Sequence, residues 1–228
     1  MIKQLFIIFI ITISFIDVYA QVLVGKPVVV EIIAPMNSVF KFGAVAGMKG
    51  YGIGDIKQWN NRVVVYANTT NPQQLKARIA KEYPADKIIL FDKPFYNFNR
   101  KYCSDKSVAK QWDNIILSAN LVKDSKLQQE YLNYHATQFQ KWPEVSQGFC
   151  NANFQQLLVF KAGRQLMLVI SIPKGESLDK LNPLTTKNNP RVNDWNNMMK
   201  KYQEGIEGTK KGEVWVFFKN VDEKKFIE

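Results

Sequence analysis

The chain has 228 residues, 46% of them hydrophobic and 13% aromatic, so there is material for one large core or two small ones. Its formal net charge is +11. The lysines are scattered in ones and twos, not gathered in a stripe, so the balance reads as a solvated basic surface and nucleic acid is not expected as a partner.

The first twenty residues read as a secretory signal peptide. Lys3 precedes an apolar run from Leu5 to Ile16, and Val18-Tyr19-Ala20 puts a small residue before Gln21. The run is short for a bilayer span. The expectation is a secreted or periplasmic protein with no stable membrane anchor after cleavage. Cys103 and Cys150 are the two cysteines. In an oxidising compartment they could pair, although sequence alone does not bring their Cα atoms within reach. One histidine and no CxxC pair leave too few soft ligands for zinc. No metal and no cofactor are expected.

Val28 to Ile33 form an apolar strand that Pro35 ends. VFKFGAVAG, from Val39, alternates in part and reads as a second strand. Gly47, Gly50, Gly52 and Gly54 read as a flexible turn, because neither phosphate-loop spacing is present. Residues 62–68 are a β-branched strand. Asn71 caps a helix and Pro72 opens it, with Leu75, Ile79 and Tyr83 four apart on one face. KIILF, from Lys87, is the next strand, so 62–91 form a β-α-β unit. Residues 92–112 are aromatic and polar without a period. They read as an irregular linker, with room for a short helix near 107–112. Phe95, Tyr96 and Phe98 suit interdomain packing or a sugar-stacking platform.

A strand is predicted over 114–122. Asp124-Ser125 then cap a helix running through to Trp142, with Leu127, Tyr131, Tyr134, His135 and Phe139 at three- and four-residue steps. Trp142-Pro143-Glu144 can begin a new helical turn, and Gly148 marks the next break. FQQLLVFKAGRQLMLVISIP, from Phe154, is a hairpin with Gly163 in its turn. Residues 174–190 read as loop. A helix follows from Arg191, with Val192, Trp195, Met198, Met199 and Tyr202 along one face, ended by Gly205 and Gly208. The last strand is predicted over 212–218, before a charged tail. The second half is therefore β-α-β-β-α-β, the split order of a ferredoxin-like domain. Its open sheet face is apolar and needs a cover, usually another such sheet. The expected class is α+β: a signal peptide at 1–20, an additional N-terminal α/β module at 21–112, and a ferredoxin-like domain at 113–228. The N-terminal module could be a degenerate ferredoxin-like partner, giving an intramolecular pseudo-dimer where a homodimer would otherwise form.

Five pieces occur in order over 114–218. They are Tyr131 and His135 on one helix; Trp142-Pro143-Glu144; a hairpin whose second strand opens with Arg164; a helix carrying Trp195, Met198 and Met199; and Glu213-Val214-Trp215. In that order they resemble the L-rhamnose mutarotase family. The resemblance implies a dimeric α+β barrel that interconverts the α and β anomers of a monosaccharide by acid–base ring opening. On that basis His135, with an ordinary pKa near 6.5, donates to the ring oxygen. Tyr131, one helical turn away on the same face, orients the sugar or shares the proton. Trp195 and Trp142 would stack on the pyranose, and Gln155 or Gln156 would bind hydroxyls where the family uses tyrosine. The chain departs from the pattern in three extra residues between His135 and Trp142, in a lone tryptophan on the last helix, and in its N-terminal module. Two other readings stand beside this one. One is a non-catalytic secreted sugar-binding or structural barrel protein. The other is a monooxygenase or haem-binding relative with His135 on iron.

Overall fold

The computed structural model describes residues 25–36 and 40–221. The expected signal peptide and the tail beyond Val221 lie outside those residues. The first half runs β1 (Lys26–Ile33), α1 (Phe42–Ala46), β2 (Ile53–Trp59), β3 (Arg62–Thr69), α2 (Pro72–Glu82) and β4 (Lys87–Phe91). An edge strand, β5 (Pro94–Asn99), and a single 3-10 turn (Arg100–Tyr102) follow. The second half begins with β6 (Trp112–Leu121), α3 (Ser125–Ala136), α4 (Gln138–Lys141) and α5 (Pro143–Asn151). It continues with β7 (Gln156–Ala162), β8 (Gln165–Pro173), α6 (Leu178–Thr186), α7 (Pro190–Lys200), β9 (Gln203–Glu204) and β10 (Val216–Asn220).

The described strands all pair antiparallel, in the order β4-β1-β3-β2-β10-β6-β8-β7-β5, with β9 pairing to β6 off that path. Each half has its fourth strand beside its first, and its third between first and second. The halves join where β2 meets β10, with Gln58 opposite Lys219. Strands β1, β3, β7 and β8 bury both faces, which is why they read as near-continuous apolar runs. Val63, Val65 and Ala67 of β3 pack with Leu75 and Ile79 of α2, while Val64 and Tyr66 turn the other way. On that second side they join Val29 and Phe91, and meet Ile116, Leu158, Phe160 and Met167 of the second half. The two half-sheets thus face each other across a shared core, and each carries its own helices outside. No helix among the described residues is long and apolar enough to cross a membrane.

Several expected boundaries move, each for a local reason. The expected strand from Val39 is helix α1, because Phe42 and Val45 bury a shared face three residues apart. The glycine turn is shorter than expected and runs into β2 at Ile53. The linker over 92–112 contains β5, whose Tyr96 and Phe98 alternate inward and pair with Val159 and Leu157 of β7. No helix forms near 107–112, since Trp112 opens β6. The helix predicted through to Trp142 breaks at Thr137, whose hydroxyl turns back to donate to Asn133 O. Gly148 does not end α5. It sits inside it, where a Cβ would lie 2.5 Å from the Thr185 carbonyl of α6. The expected loop over 174–190 contains α6, whose Leu181 and Thr185 are buried. Helix α7 stops at Lys200, short of Gly205, because Gln203 and Glu204 pair with Leu121 and Asn120 of β6. The last strand starts at Val216 instead of Gly212.

Cys103 and Cys150 are joined, tying the 3-10 turn after β5 to α5 across 47 residues of chain. A crosslink closing a loop of that length contributes about 4 kcal/mol by the chain-entropy argument. We expect Cys103→Ser to unfold at a clearly lower urea concentration than the wild type. Equal midpoints for the oxidised and mutant proteins would show that the bridge carries no stability.

Candidate active site

The site grows from α3. Asp124 caps this helix by accepting from the amides of Lys126 and Leu127. The fixed helix then sets Tyr131 one turn before His135, with the rings tilted by 42° and their centroids 4.2 Å apart. Both side chains face inward. His135 is 8% exposed and Tyr131 is 1% exposed.

His135 Nδ1 lies 3.0 Å from the backbone oxygen of Tyr131. A carbonyl oxygen only accepts, so Nδ1 carries the hydrogen and Nε2 carries a lone pair. Burial disfavours the imidazolium and lowers the His135 pKa from 6.5 to about 4, against the smaller opposing effect of the bond to Tyr131. The ring is therefore neutral at physiological pH. Burial pushes the Tyr131 phenol up, and a hydrogen bond from Gln203 pulls it partly back. Gln203 Nε2 is 3.3 Å from Tyr131 Oη, and Trp215 Nε1 donates to Gln203 Oε1 at 3.1 Å.

An aromatic wall surrounds the pair. Trp195 of α7 lies 5.2 Å from the His135 ring, edge-on. Trp142 lies 5.6 Å from Trp195, with the Arg191 guanidinium over its ring at 3.8 Å from the centroid. Phe95 and Tyr96 of β5 meet His135 edge-on at 5.7 and 5.3 Å. The structure thus brings Tyr131, His135, Trp195 and Trp142 into one cluster. It does not bring Gln155 or Gln156 into it. Both polar ends of Gln155 are occupied: Oε1 accepts from Ala109 N, and Nε2 donates to Asn153. Gln156 sits in the sheet opposite Asn99 and Ser171.

The residues between His135 and Trp142 have a clear structural use. Gln138 is fully buried and accepts from the Tyr96 hydroxyl at 2.6 Å. Its amide nitrogen donates to Trp142 O and Ser146 Oγ. Phe139 stacks between Tyr96 and Tyr102, at 5.3 and 3.9 Å. Gln138 and Phe139 therefore hold Tyr96 of β5 against His135. Sequence reasoning missed this pairing, because strand alternation in PFYNFN is masked by flanking polar residues. A surface cleft of about 630 Å³ between Glu144, Gln147 and Asn151 on one side and Leu184 and Lys187 on the other contains neither Tyr131 nor His135.

A family model described as L-rhamnose mutarotase matches residues 105–222. The chain belongs to the L-rhamnose mutarotase family. A UPF0734 protein of Dictyostelium discoideum is 30% identical over 121 residues, covering 50% of this chain and 85% of that protein. An L-fucose mutarotase of Xanthomonas campestris pv. campestris is 27% identical over 97 residues, covering 42% of this chain and 75% of that one. Among solved structures, a candidate monooxygenase of Fusobacterium nucleatum aligns with a TM-score of 0.48 at 9% identity, covering 87% of this chain and 94% of its own. That likeness is too loose to carry an argument. The L-rhamnose mutarotase match spans Tyr131, His135, Phe139, Trp142 and Trp195, whereas Phe95, Tyr96 and Tyr102 lie upstream of it.

Proposed function

We propose that this chain is a secreted monosaccharide mutarotase, with L-rhamnose or L-fucose as the first substrates to test. Family membership and the named mutarotase relative support the substrate class. The observation that carries the mechanism is the hydrogen bond from His135 Nδ1 to the Tyr131 carbonyl. It leaves a neutral imidazole with a lone pair on Nε2, so His135 has no Nε2 proton to give and can serve only as the acceptor. The roles expected from the ordinary histidine pKa are therefore exchanged. His135 takes the proton of the anomeric hydroxyl as the C1–O5 bond breaks. The ring oxygen takes the Tyr131 hydroxyl proton. The open aldehyde turns about C1–C2, and closure on the other face returns both protons.

The rest of the chain fits this proposal. The first half stands where a second copy stands in a dimeric barrel, supported by its matching strand order and the core it shares with the second half. Secretion is supported by the apolar run over Leu5 to Ile16 and by the paired cysteines.

One observation favours the non-catalytic alternative. His135 and Tyr131 are almost fully covered, and Phe95 and Tyr96 form part of the cover. Under the mutarotase reading β5 must yield to admit a sugar. Trimming Phe95 to Ala should then raise kcat/KM severalfold while costing about 2 kcal/mol of stability. The deciding experiment follows anomer exchange of L-rhamnose and L-fucose by saturation-transfer NMR. Exchange no faster than in buffer, for wild type and Phe95→Ala alike, would sink the mutarotase reading and leave the structural one.

A further inference from the structure

Two hydrogen bonds behind Tyr131 have a polarity that the chain itself fixes. The indole Nε1 of Trp215 can only donate, and it donates to Gln203 Oε1 at 3.1 Å. That contact sets which way the Gln203 amide points. Its Nε2 then faces Tyr131 Oη at 3.3 Å and donates to it. A phenol oxygen that is already accepting keeps its own hydrogen for a different acceptor. We propose that Gln203, held by Trp215, is a positioning residue that keeps the Tyr131 hydroxyl hydrogen free for the sugar ring oxygen. This rests on the mutarotase reading above and deepens it.

The backbone supports the arrangement. Gln203 lies in β9, pinned opposite Leu121 of β6. This pairing is what ends α7 before the glycines, so the chain stops its helix where Gln203 can reach Tyr131. Trp215 comes from the lead into β10, twelve residues on. The lead into β10 thus acts through β9 on the one hydroxyl that α3 carries. The chemistry gains at a defined moment. As C1–O5 breaks, the electron pair goes to O5 and the Tyr131 hydrogen follows it, leaving a phenolate. The Gln203 N–H is already aimed at that oxygen, so no dipole has to reorganise as charge develops.

The test compares Gln203→Glu, Gln203→Met and Trp215→Phe in the full chain. Glutamate keeps the shape and still accepts from Trp215, but it offers Tyr131 an acceptor and captures its hydrogen. Methionine offers neither. A packing role would make glutamate the milder change at this half-buried position. The polarity role makes it the worse one. We expect kcat for anomer exchange to fall about tenfold in Gln203→Met and about a hundredfold in Gln203→Glu, with KM within about twofold of wild type. Trp215→Phe keeps the ring packing and frees the amide to flip, so kcat should fall by about threefold to tenfold with the thermal midpoint nearly unchanged. A Gln203→Glu kcat at or above that of Gln203→Met, or losses confined to KM, would overturn the proposal while leaving the mutarotase reading intact. If Gln203→Glu does not fold, an unchanged kcat in folded Trp215→Phe overturns it equally. An inactive wild type would instead remove the mutarotase reading and this proposal with it.

Discussion

His135→Asn should reduce anomer exchange by about 10²- to 10⁴-fold, the range that a positioned general base contributes. Asparagine can still donate to the Tyr131 carbonyl from where Nδ1 stood, so the helix keeps its contact. What it lacks is the Nε2 lone pair. The pH behaviour of the wild type makes the prediction sharper. The His135 pKa is lowered to about 4 by burial. The base therefore stays unprotonated well below neutrality, and kcat/KM should hold level down to about pH 5 before falling. An exposed histidine would lose activity from about pH 6.5 downward. Stability carries the same signature. The folded pKa lies below the unfolded one, so between them the unfolded chain binds the proton first. The stability tied to neutral His135 is fully present above about pH 6.5 and is lost as pH falls to about 4, roughly 3 kcal/mol in all. Urea midpoints should drop across that window in wild type and much less in His135→Asn. A wild-type activity that falls off at pH 6.5 would show that the histidine is solvated when it works, and would rule out the buried-base mechanism.

Much of this site was legible in the sequence because it lies on one helix. A four-residue step puts Tyr131 and His135 on a common face whatever surrounds them. The same holds for Trp195 among the apolar positions of α7. What the sequence could not show is contact between elements far apart in the chain. Phe95 and Tyr96 meet His135 only because β5 adds to the edge at β7, and β5 is a short strand whose alternation is diluted by Asn97 and Asn99. The break at Thr137 was hidden for a related reason. The apolar steps of α3 continue to Phe139, and it is the tertiary demand to place Gln138 and Phe139 around Tyr96 that decides where the helix ends. Gln203 looked like the end of a helix, and its strand pairing with Leu121 is a long-range fact. The pKa of His135 is likewise set by its cover and not by its neighbours in sequence. The strand order of the second half was readable from its β-α-β-β-α-β alternation. The first half was harder, because α1 is one short turn that a partly alternating sequence disguises as strand.

Arg62→Met should be among the most destabilising single changes at the junction of the two halves. Glu31 of β1 is fully buried in the space between the half-sheets. Arg62 Nη1 donates to one of its oxygens at 3.1 Å, and Gln165 Nε2 of β8 donates to the other at 2.8 Å. Gln165 also donates to Ser118 Oγ of β6, which in turn donates to Leu166 O. One carboxylate thus connects the first half to two strands of the second. Burial raises the Glu31 pKa, and the Arg62 guanidinium is the strongest group pulling it back down. Removing that guanidinium leaves Glu31 with the neutral Gln165 donor and the weaker pull of Lys87, and breaking a buried pair this way typically costs about 3–5 kcal/mol. The pH dependence follows from the sign of the shift. A carboxyl whose folded pKa is raised contributes stability that is present below its unfolded value of 4.5 and lost as pH rises through the folded value. Loss of Arg62 raises the folded value further. The deficit of Arg62→Met should therefore grow as pH rises and shrink as acid protonates Glu31, opposite in direction to the His135 effect. Adding Glu31→Gln to Arg62→Met removes the charge and keeps an acceptor for Gln165, so the double variant should recover more than half of the loss at pH 8. Urea unfolding of the two variants at pH 5 and pH 8 measures all of this. A deficit that is independent of pH, or a double variant no better than the single, would mean that Arg62 stabilises the junction by packing its aliphatic stem and not by neutralising Glu31.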